Sequence, residues 1–205
     1  MVAMAIEPQT AEPQATAPDP SCEPLPRTAR ELFDVLPPLP GFRVEVIEGN
    51  LLVSPVGSPE HSWRAADLHD ALFPLRKERG WSGSPQGPSI CIEGPRDSFS
   101  PDYVLTPPHC SRWGDELLSS GVIMAAEVVS PTSTLADRVT KPRLYALGRI
   151  PVYLLIDPIA EPPAVTVYSN IQDGKYCTTT SVALGKRIHL PSPVDFELDT
   201  SMIRV

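Results

Sequence analysis

Three runs of sequence decide the fold: PDYVLT at residues 101–106, GVIMAAEVVSPTST at 121–134 and DRVTKPRLYALGRIPVYLLIDP at 137–158. The middle run is almost continuously apolar from Val122 to Val129, the pattern of a central strand buried on both faces. Glu127 is its one charged residue. A carboxylate in such a strand is costly unless it pairs with a cation, binds a metal or takes up a proton. In the third run Leu135, Val139, Leu144 and Leu147 fall at helical spacing, Gly148 can close the helix, and VYLLID follows as a second apolar strand ending at Asp157. Strand, helix and strand across 122–157 form a βαβ unit with a right-handed crossover. Asp102 stands at the start of another apolar run, Asp102–Leu105. Lys141 lies in the intervening helix.

Upstream, Thr28 with Glu31 three residues on is a capping box, opening a short helix with Leu32, Phe33, Val35 and Leu36 as its apolar face. Pro37 and Pro38 end it. Residues 43–47 and 51–53 flank Glu48-Gly49-Asn50 as a hairpin, with Gly49-Asn50 expected to supply positive φ. The valines alternate with Glu45, which therefore projects from the face opposite Val44 and Val46. Ser58 caps a helix over 59–79, with Pro59 at its first position, Trp63, Leu68, Leu72 and Leu75 as its stripe, and a kink or early end at Pro74. His61 falls in the opening turn, where capping, surface and cleft roles are all open. Residues 113–118 suggest a helical turn. Asp173-Gly174 marks a second hairpin, and short edge strands follow to the C-terminus. Residues 1–26, rich in Ala, Pro, Glu, Gln and Thr, are expected to form a disordered tail, leaving 27–205 as one domain.

The chain has 205 residues, enough for one well-buried domain, with 41% hydrophobic residues, 26 prolines and a net charge of −8. The charge argues against a global basic face for nucleic acid, although Arg and Lys can still gather in a local stripe. Cys22, Cys91, Cys110 and Cys177 lack the spacing of a zinc or redox site, so free thiols in a reducing cytoplasm are expected. No apolar run reaches the ~18–20 residues of a membrane span. Ser130 has no Gly-x-Ser-x-Gly setting, which disfavours a serine hydrolase.

Two carboxylates and a lysine at one sheet edge are the minimum kit for metal-assisted phosphodiester hydrolysis. Hard Mg²⁺ or Mn²⁺ takes oxygen ligands, and a lysine can orient the attacking water or offset developing charge. The stretches quoted above, together with VEVIEGNLLVSPVGSPEHS at 44–62, resemble the Uma2 family of restriction endonuclease-like proteins, within the PD-(D/E)XK nuclease superfamily. The resemblance covers roughly residues 28–200. It implies an α/β fold, a restriction-endonuclease-like mixed β-sheet flanked by helices, with added N-terminal and C-terminal hairpins. It further implies Asp102, Glu127 and the Val128 carbonyl as metal ligands, Asp102, Glu127 and Lys141 as the catalytic set, and Glu45 and His61 in the cleft. The superfamily lysine two residues after the Glu is replaced by Val129 here, and its role passes to Lys141. Pro142 constrains that lysine: either a helix from Leu135 runs through with a kink, or a new helix starts at Pro142. The expected function is an endonuclease cutting DNA with Mg²⁺ or Mn²⁺, as a monomer or a homodimer. The alternatives are an inactive nuclease-fold module that binds nucleic acid or protein, and an RNA-directed enzyme.

Overall fold

The computed structural model describes residues 25–204; the expected tail at 1–26 therefore lies almost wholly outside the described residues. The capping box forms as the sequence predicts. Thr28 accepts from the Glu31 N–H and opens helix α1, Ala29–Val35, but none of that helix is buried. Strands β1, Phe42–Ile47, and β2, Asn50–Pro55, make the first hairpin. Its tight turn is Glu48-Gly49, both at positive φ, as a two-residue hairpin requires; Asn50 is already paired with Ile47. The positive φ thus falls one residue earlier than expected. Asp97 holds this turn, accepting from the Glu48 N–H at 2.8 Å and the Gly49 N–H at 3.2 Å.

The predicted helix over 59–79 divides at Leu72, two residues before Pro74, into α2, Pro59–Ala71, and α3, Phe73–Arg79. Leu68, Leu72 and Leu75 are buried as expected, while Trp63 is half exposed. Short strands follow: β3, Ser82–Pro85; β4, Ile90–Cys91; β5, Ser98–Phe99; and β6, Tyr103–Thr106. Residues 113–118 form no helical turn. Arg112–Trp113 and Glu116–Leu118 are strands β7 and β8, an antiparallel pair, because Gly114 takes the positive φ of a hairpin turn.

The apolar run becomes β9, Met124–Val128, and VYLLID becomes β10, Val152–Asp157; they pair in parallel. The hairpin β11, Ala164–Gln172, and β12, Lys175–Ala183, turns at Asp173-Gly174. A last antiparallel pair is β13, Arg187–Leu190, with β14, Phe196–Asp199. Two six-stranded sheets result, in the orders β2-β1-β5-β4-β8-β7 and β12-β11-β10-β9-β6-β3. The first hairpin forms the edge of the first sheet. In the second sheet β9 lies between β10 and β6, which explains its unbroken apolar pattern.

Strand alternation sends successive residues to opposite faces, and two cores follow. Met124, Ala126 and Val128 meet Leu68, Leu72 and Leu75 of the α2–α3 layer. Ala125, Val129, Tyr153 and Leu155 meet Ile47, Ile90, Phe99 and Leu117 from the first sheet. Glu127 has the parity of the second set, so it points between the sheets.

Gly83 in β3 faces a tight spot. A Cβ there would stand 2.1 Å from the Tyr103 hydroxyl and 2.6 Å from Arg76 Cδ. Gly83→Ala is expected to cost about 1–3 kcal/mol, the usual penalty of overpacking. Tyr103→Phe should recover part of that loss, and a double-mutant cycle by urea denaturation checks the coupling.

Candidate active site

The helix after β9 explains how Lys141 reaches a buried strand. Pro142 has no N–H and its ring crowds the carbonyl four residues back. The chain absorbs this with a π-turn, Ala136–Thr140, in which the Lys141 N–H donates to the carbonyl of Ala136, five residues back. Helix α4, Lys141–Leu147, continues from it. The helix therefore starts before Pro142 and runs through it, with the ladder widened by one residue and no sharp break. The expected stripe is corrected: Leu135, Val139 and Leu147 are exposed at 72%, 60% and 47%. The inward face is instead Asp137, Lys141, Leu144 and Tyr145. The leucine and valine spacing was helical, but the charged face is the buried one because Glu127 lies beneath it.

Lys141 Nζ lies 2.8 Å from Glu127 Oε1, 3.1 Å from Asp137 Oδ1 and 3.9 Å from Glu45 Oε1. The Asp137 approach is close but misaligned, so that oxygen has no hydrogen bond among the described residues. Tyr145 donates its hydroxyl to Glu127 Oε1 at 2.7 Å. Glu45 Oε1 also accepts from the Ser100 N–H at 2.9 Å. Asp102, just before β6, accepts at Oδ1 from Arg43 Nη2 at 2.9 Å and meets His61 Nε2 at 2.9 Å. Its Oδ2 accepts from the Val128 N–H at 2.8 Å. In an extended strand the N–H and C=O of one residue leave on the same side, so the Val128 carbonyl also departs toward Asp102. Every one of Glu45, Asp102, Glu127, Asp137 and Lys141 is buried.

The charges do not balance. Four carboxylates, Glu45, Asp102, Glu127 and Asp137, face two permanent cations, Arg43 and Lys141, with His61 able to add a third. Burial pushes the Asp102 carboxyl up, but the His61 hydrogen bond and the charges of Arg43, His61 and Lys141 outweigh it and hold Asp102 well below the usual range. Glu127 goes the other way: burial pushes its carboxyl well up, Lys141 opposes this, and Asp102, Asp137 and Glu45 add to it. Burial alone would lower the Lys141 ammonium, yet Glu127, Glu45, Asp137 and Asp102 together raise it. Lys141 is therefore charged, while burial and the neighbouring acids favour a proton on Glu127 unless a further cation joins the cluster. Burial and then the Glu127 charge raise the Tyr145 hydroxyl, which stays a donor.

The excess of negative charge and the hard oxygen donors suit a divalent cation. Among the described residues no three His, Cys, Asp or Glu side chains close a ready-made cage, so any ligand set has to include a main-chain carbonyl or water. Hydrogen bonds to Glu127 fall on Oε1, and Oε2 takes none among the described residues. Asp102, Glu127 Oε2 and the Val128 carbonyl are hard oxygen donors of the kind Mg²⁺ or Mn²⁺ takes, with Oδ1 of Asp102 shared between Arg43 and His61.

All five side chains predicted from the sequence, Asp102, Glu127, Lys141, Glu45 and His61, meet in this cluster. His61 reaches inward from the first turn of α2, and its N–H donates to the capping Ser58 hydroxyl. Arg43, Asp137 as a buried member and Tyr145 were missed. Strand alternation carries a signal for Arg43, two residues before Glu45 on one face, and helical spacing one for Tyr145, four beyond Lys141. An open cleft of about 540 Å³ adjoins the cluster through Arg43, bounded by Pro37–Pro40, Phe42, Gln86 and Ser100. A larger cleft of about 760 Å³ lies by Leu147, Arg149, Asn170 and Asp173. Its charged residues are exposed, so the buried chemistry belongs to the smaller one.

A family model described as "Uma2: Putative restriction endonuclease" matches residues 30–201. Among solved structures, one described as a putative nuclease belonging to DUF820 from Anabaena variabilis is similar at TM-score 0.65 and 18% identity, covering 87% of this chain and 97% of that one. At that identity the likeness bears on the fold. No curated protein matches the sequence.

Lys141→Met removes the only ammonium from this acid cluster and is expected to cost about 3–5 kcal/mol near neutral pH. Glu127 already has a folded carboxyl raised above its unfolded value, so the native state holds a proton there more tightly. Ionisation therefore opposes folding as pH rises from the ordinary carboxylate value through the raised one. Without Lys141 that opposition grows, and the deficit of the variant should shrink between about pH 8 and about pH 5 in urea denaturation.

Proposed function

The chain belongs to the Uma2 family, and from that premise we propose that it is an endonuclease dependent on Mg²⁺ or Mn²⁺ that hydrolyses DNA phosphodiesters in the cleft beside Arg43. The observation that carries the reading is the buried excess of carboxylates around one lysine. A cluster built only for stability would match its charges, since unpaired buried charge is expensive. Among the described residues no helix is long and apolar enough to cross a membrane.

Asp102, Glu127 and the Val128 carbonyl would hold the cation, which when bound supplies Lewis acidity at a phosphoryl oxygen and a more acidic water. Lys141, fixed by Glu127 and Asp137, presents a permanent positive charge where the attacking water and the developing phosphoryl charge meet. Tyr145 holds the Glu127 carboxylate by Oε1 and leaves Oε2 to the cation. His61 orients Asp102 in the same manner. Arg43 stands between Asp102 and the open cleft, placed to receive a phosphate oxygen with its fork of donors.

One observation favours a second reading, a nuclease-fold module that binds without cutting. Both oxygens of Asp102 are already taken by Val128, Arg43 and His61, so a cation has to compete with Arg43 or His61 for Oδ1.

Calorimetric titration with Mn²⁺ and cleavage of plasmid DNA separate the two. The first reading expects binding, with a stabilisation of about 2.7 kcal/mol at ~100 times the dissociation constant, or about 5–10 °C in Tm. Because Glu127 is pushed up, that affinity should fade at a higher pH on acidification than for an ordinary carboxylate pair. Glu127→Gln should keep the fold and lose both the shift and the cleavage. Parent protein that binds no Mn²⁺ at millimolar concentration and cuts no DNA leaves only the second reading.

A further inference from the structure

Away from the acid cluster, the charge of the molecule reverses over the segment Phe73–Trp81, which reads FPLRKERGW. It carries Arg76, Lys77 and Arg79 against one acid, Glu78, in a chain of net charge −8. None of the three cations is ion-paired among the described residues, whereas Arg30, Arg43, Arg138, Arg143 and Arg204 all have carboxylate partners. Lys77 and Arg79 are exposed. Aromatic rings border the stripe: Arg76 lies over Phe73 at 5.7 Å and Arg79 over Trp81 at 5.5 Å. Phe73 itself is 55% exposed.

A second observation comes from beneath the stripe. Of the four buried side-chain atoms without a hydrogen-bond partner among the described residues, three gather here: Arg76 Nε, His69 Nδ1 and the Tyr103 hydroxyl. Arg76 Nη2 donates to His69 Nε2 at 2.9 Å and to the His69 carbonyl at 3.2 Å. With Nε2 accepting, the His69 proton sits on Nδ1; burial and then the Arg76 charge lower this imidazole, which keeps it neutral. All three orphans are able to donate, and no acid neutralises the Arg76 charge from beneath among the described residues.

The placement relates this surface to the reaction centre. Tyr103 follows Asp102 in the chain and points to the opposite face of the sheet. Along α2, His69 is eight residues from His61, about 12 Å at the rise of an α-helix. Along β3, Gly83, which faces Arg76, is three residues from Gln86, about 10 Å; the Gln86 N–H donates to the Asp102 carbonyl.

We propose that the stripe Phe73–Trp81 is where a nucleic-acid strand lays its backbone phosphates, on the flank of the phosphodiester over Asp102. The inference rests on the nuclease reading for what lies at Asp102, but it concerns binding alone. Arg76, part-exposed and without a carboxylate partner among the described residues, anchors one phosphate. Lys77 and Arg79 neutralise its neighbours, and Phe73 and Trp81 give the strand an apolar border. The contact carries no sequence information, as phosphate contacts position without specifying.

The test uses the full chain with labelled DNA and RNA oligonucleotides in Ca²⁺, followed by fluorescence anisotropy at several salt concentrations. The double variant Lys77→Glu with Arg79→Glu changes two exposed residues, and its Tm is compared with the parent to establish that it folds. Its affinity should fall at least about 10-fold on every sequence, and the salt slope should flatten by about 2. Lys77→Arg with Arg79→Lys should bind as the parent does. Hydrolysis of bis(p-nitrophenyl) phosphate, too small to reach the stripe, reports the reaction centre separately. An unchanged affinity and slope in the charge-reversed variant overturns the stripe even if hydrolysis proceeds. So does a parent that binds neither oligonucleotide, or a variant whose only change is in oligomeric state. A stripe-dependent affinity without any hydrolysis supports the surface and defeats the catalytic reading alone.

Discussion

The contact between Lys141 and Glu127 is the constraint on which the rest of the structure depends. Both are out of water, and a lone charge at either position would be untenable. Holding them 2.8 Å apart requires a helix whose inner face is charged and a strand whose acid points between two sheets. Tyr145 follows as the hydroxyl that donates to Glu127, and Asp137 and Glu45 as the acids that tune the charge. Buried ion pairs seldom improve stability over well-packed apolar side chains. An arrangement with more acids than bases is less stable still, so stability alone does not account for it.

The two sheets are what bring the acids together. Asp102 comes from the second sheet and Glu45 from the first, 57 positions apart in the chain. The turn after β1 is held from both sides, by Asp97 through its N–H groups and by Arg143 through Glu48. That double hold matters because β1 carries Arg43 and Glu45 on one face, and a slip of one residue would turn both away. The apolar layer of Ile47, Phe99, Tyr145 and Tyr153 seals the opposite side of the cluster. Aromatic rings then continue outward, Tyr153 to Tyr168 to Tyr176, at spacings of 5.4 and 6.1 Å.

Much of this was legible in the residues. The apolar run around Glu127 announced a central strand, the βαβ order fixed its neighbour, and the flanking apolar context made Glu127 conspicuous. The capping box at Thr28 and the hairpin at Glu48-Gly49 are local, and local chemistry reads well from sequence. What failed was the reading of faces. Leu135, Val139 and Leu147 look like a core stripe until the partner surface is known to be acidic. Residues 113–118 could be taken for a helical turn because two-residue strands leave almost no periodicity. The stripe over Phe73–Trp81 was visible only as an expectation of some local basic region, since its unpaired state depends on where every acid ends up. Arg43 went unnoticed because one arginine in a strand says nothing until its cross-sheet partner is placed.

The π-turn ahead of Pro142 has a consequence for how this segment tolerates insertion and deletion. A π-turn is in effect one residue more than a regular helix would use over the same rise. Each residue of a helix advances about 100° around its axis. Trimming any residue between Ala136 and Thr140 would close the bulge and drive the Pro142 ring back against the carbonyl four residues before it. It would also swing Asp137 out of phase with Lys141 and Tyr145, separating the anchoring acid from the ammonium it steadies. Length in this short stretch is thus under tighter constraint than composition, and its bulge acts as a spacer that sets the angular phase of the site.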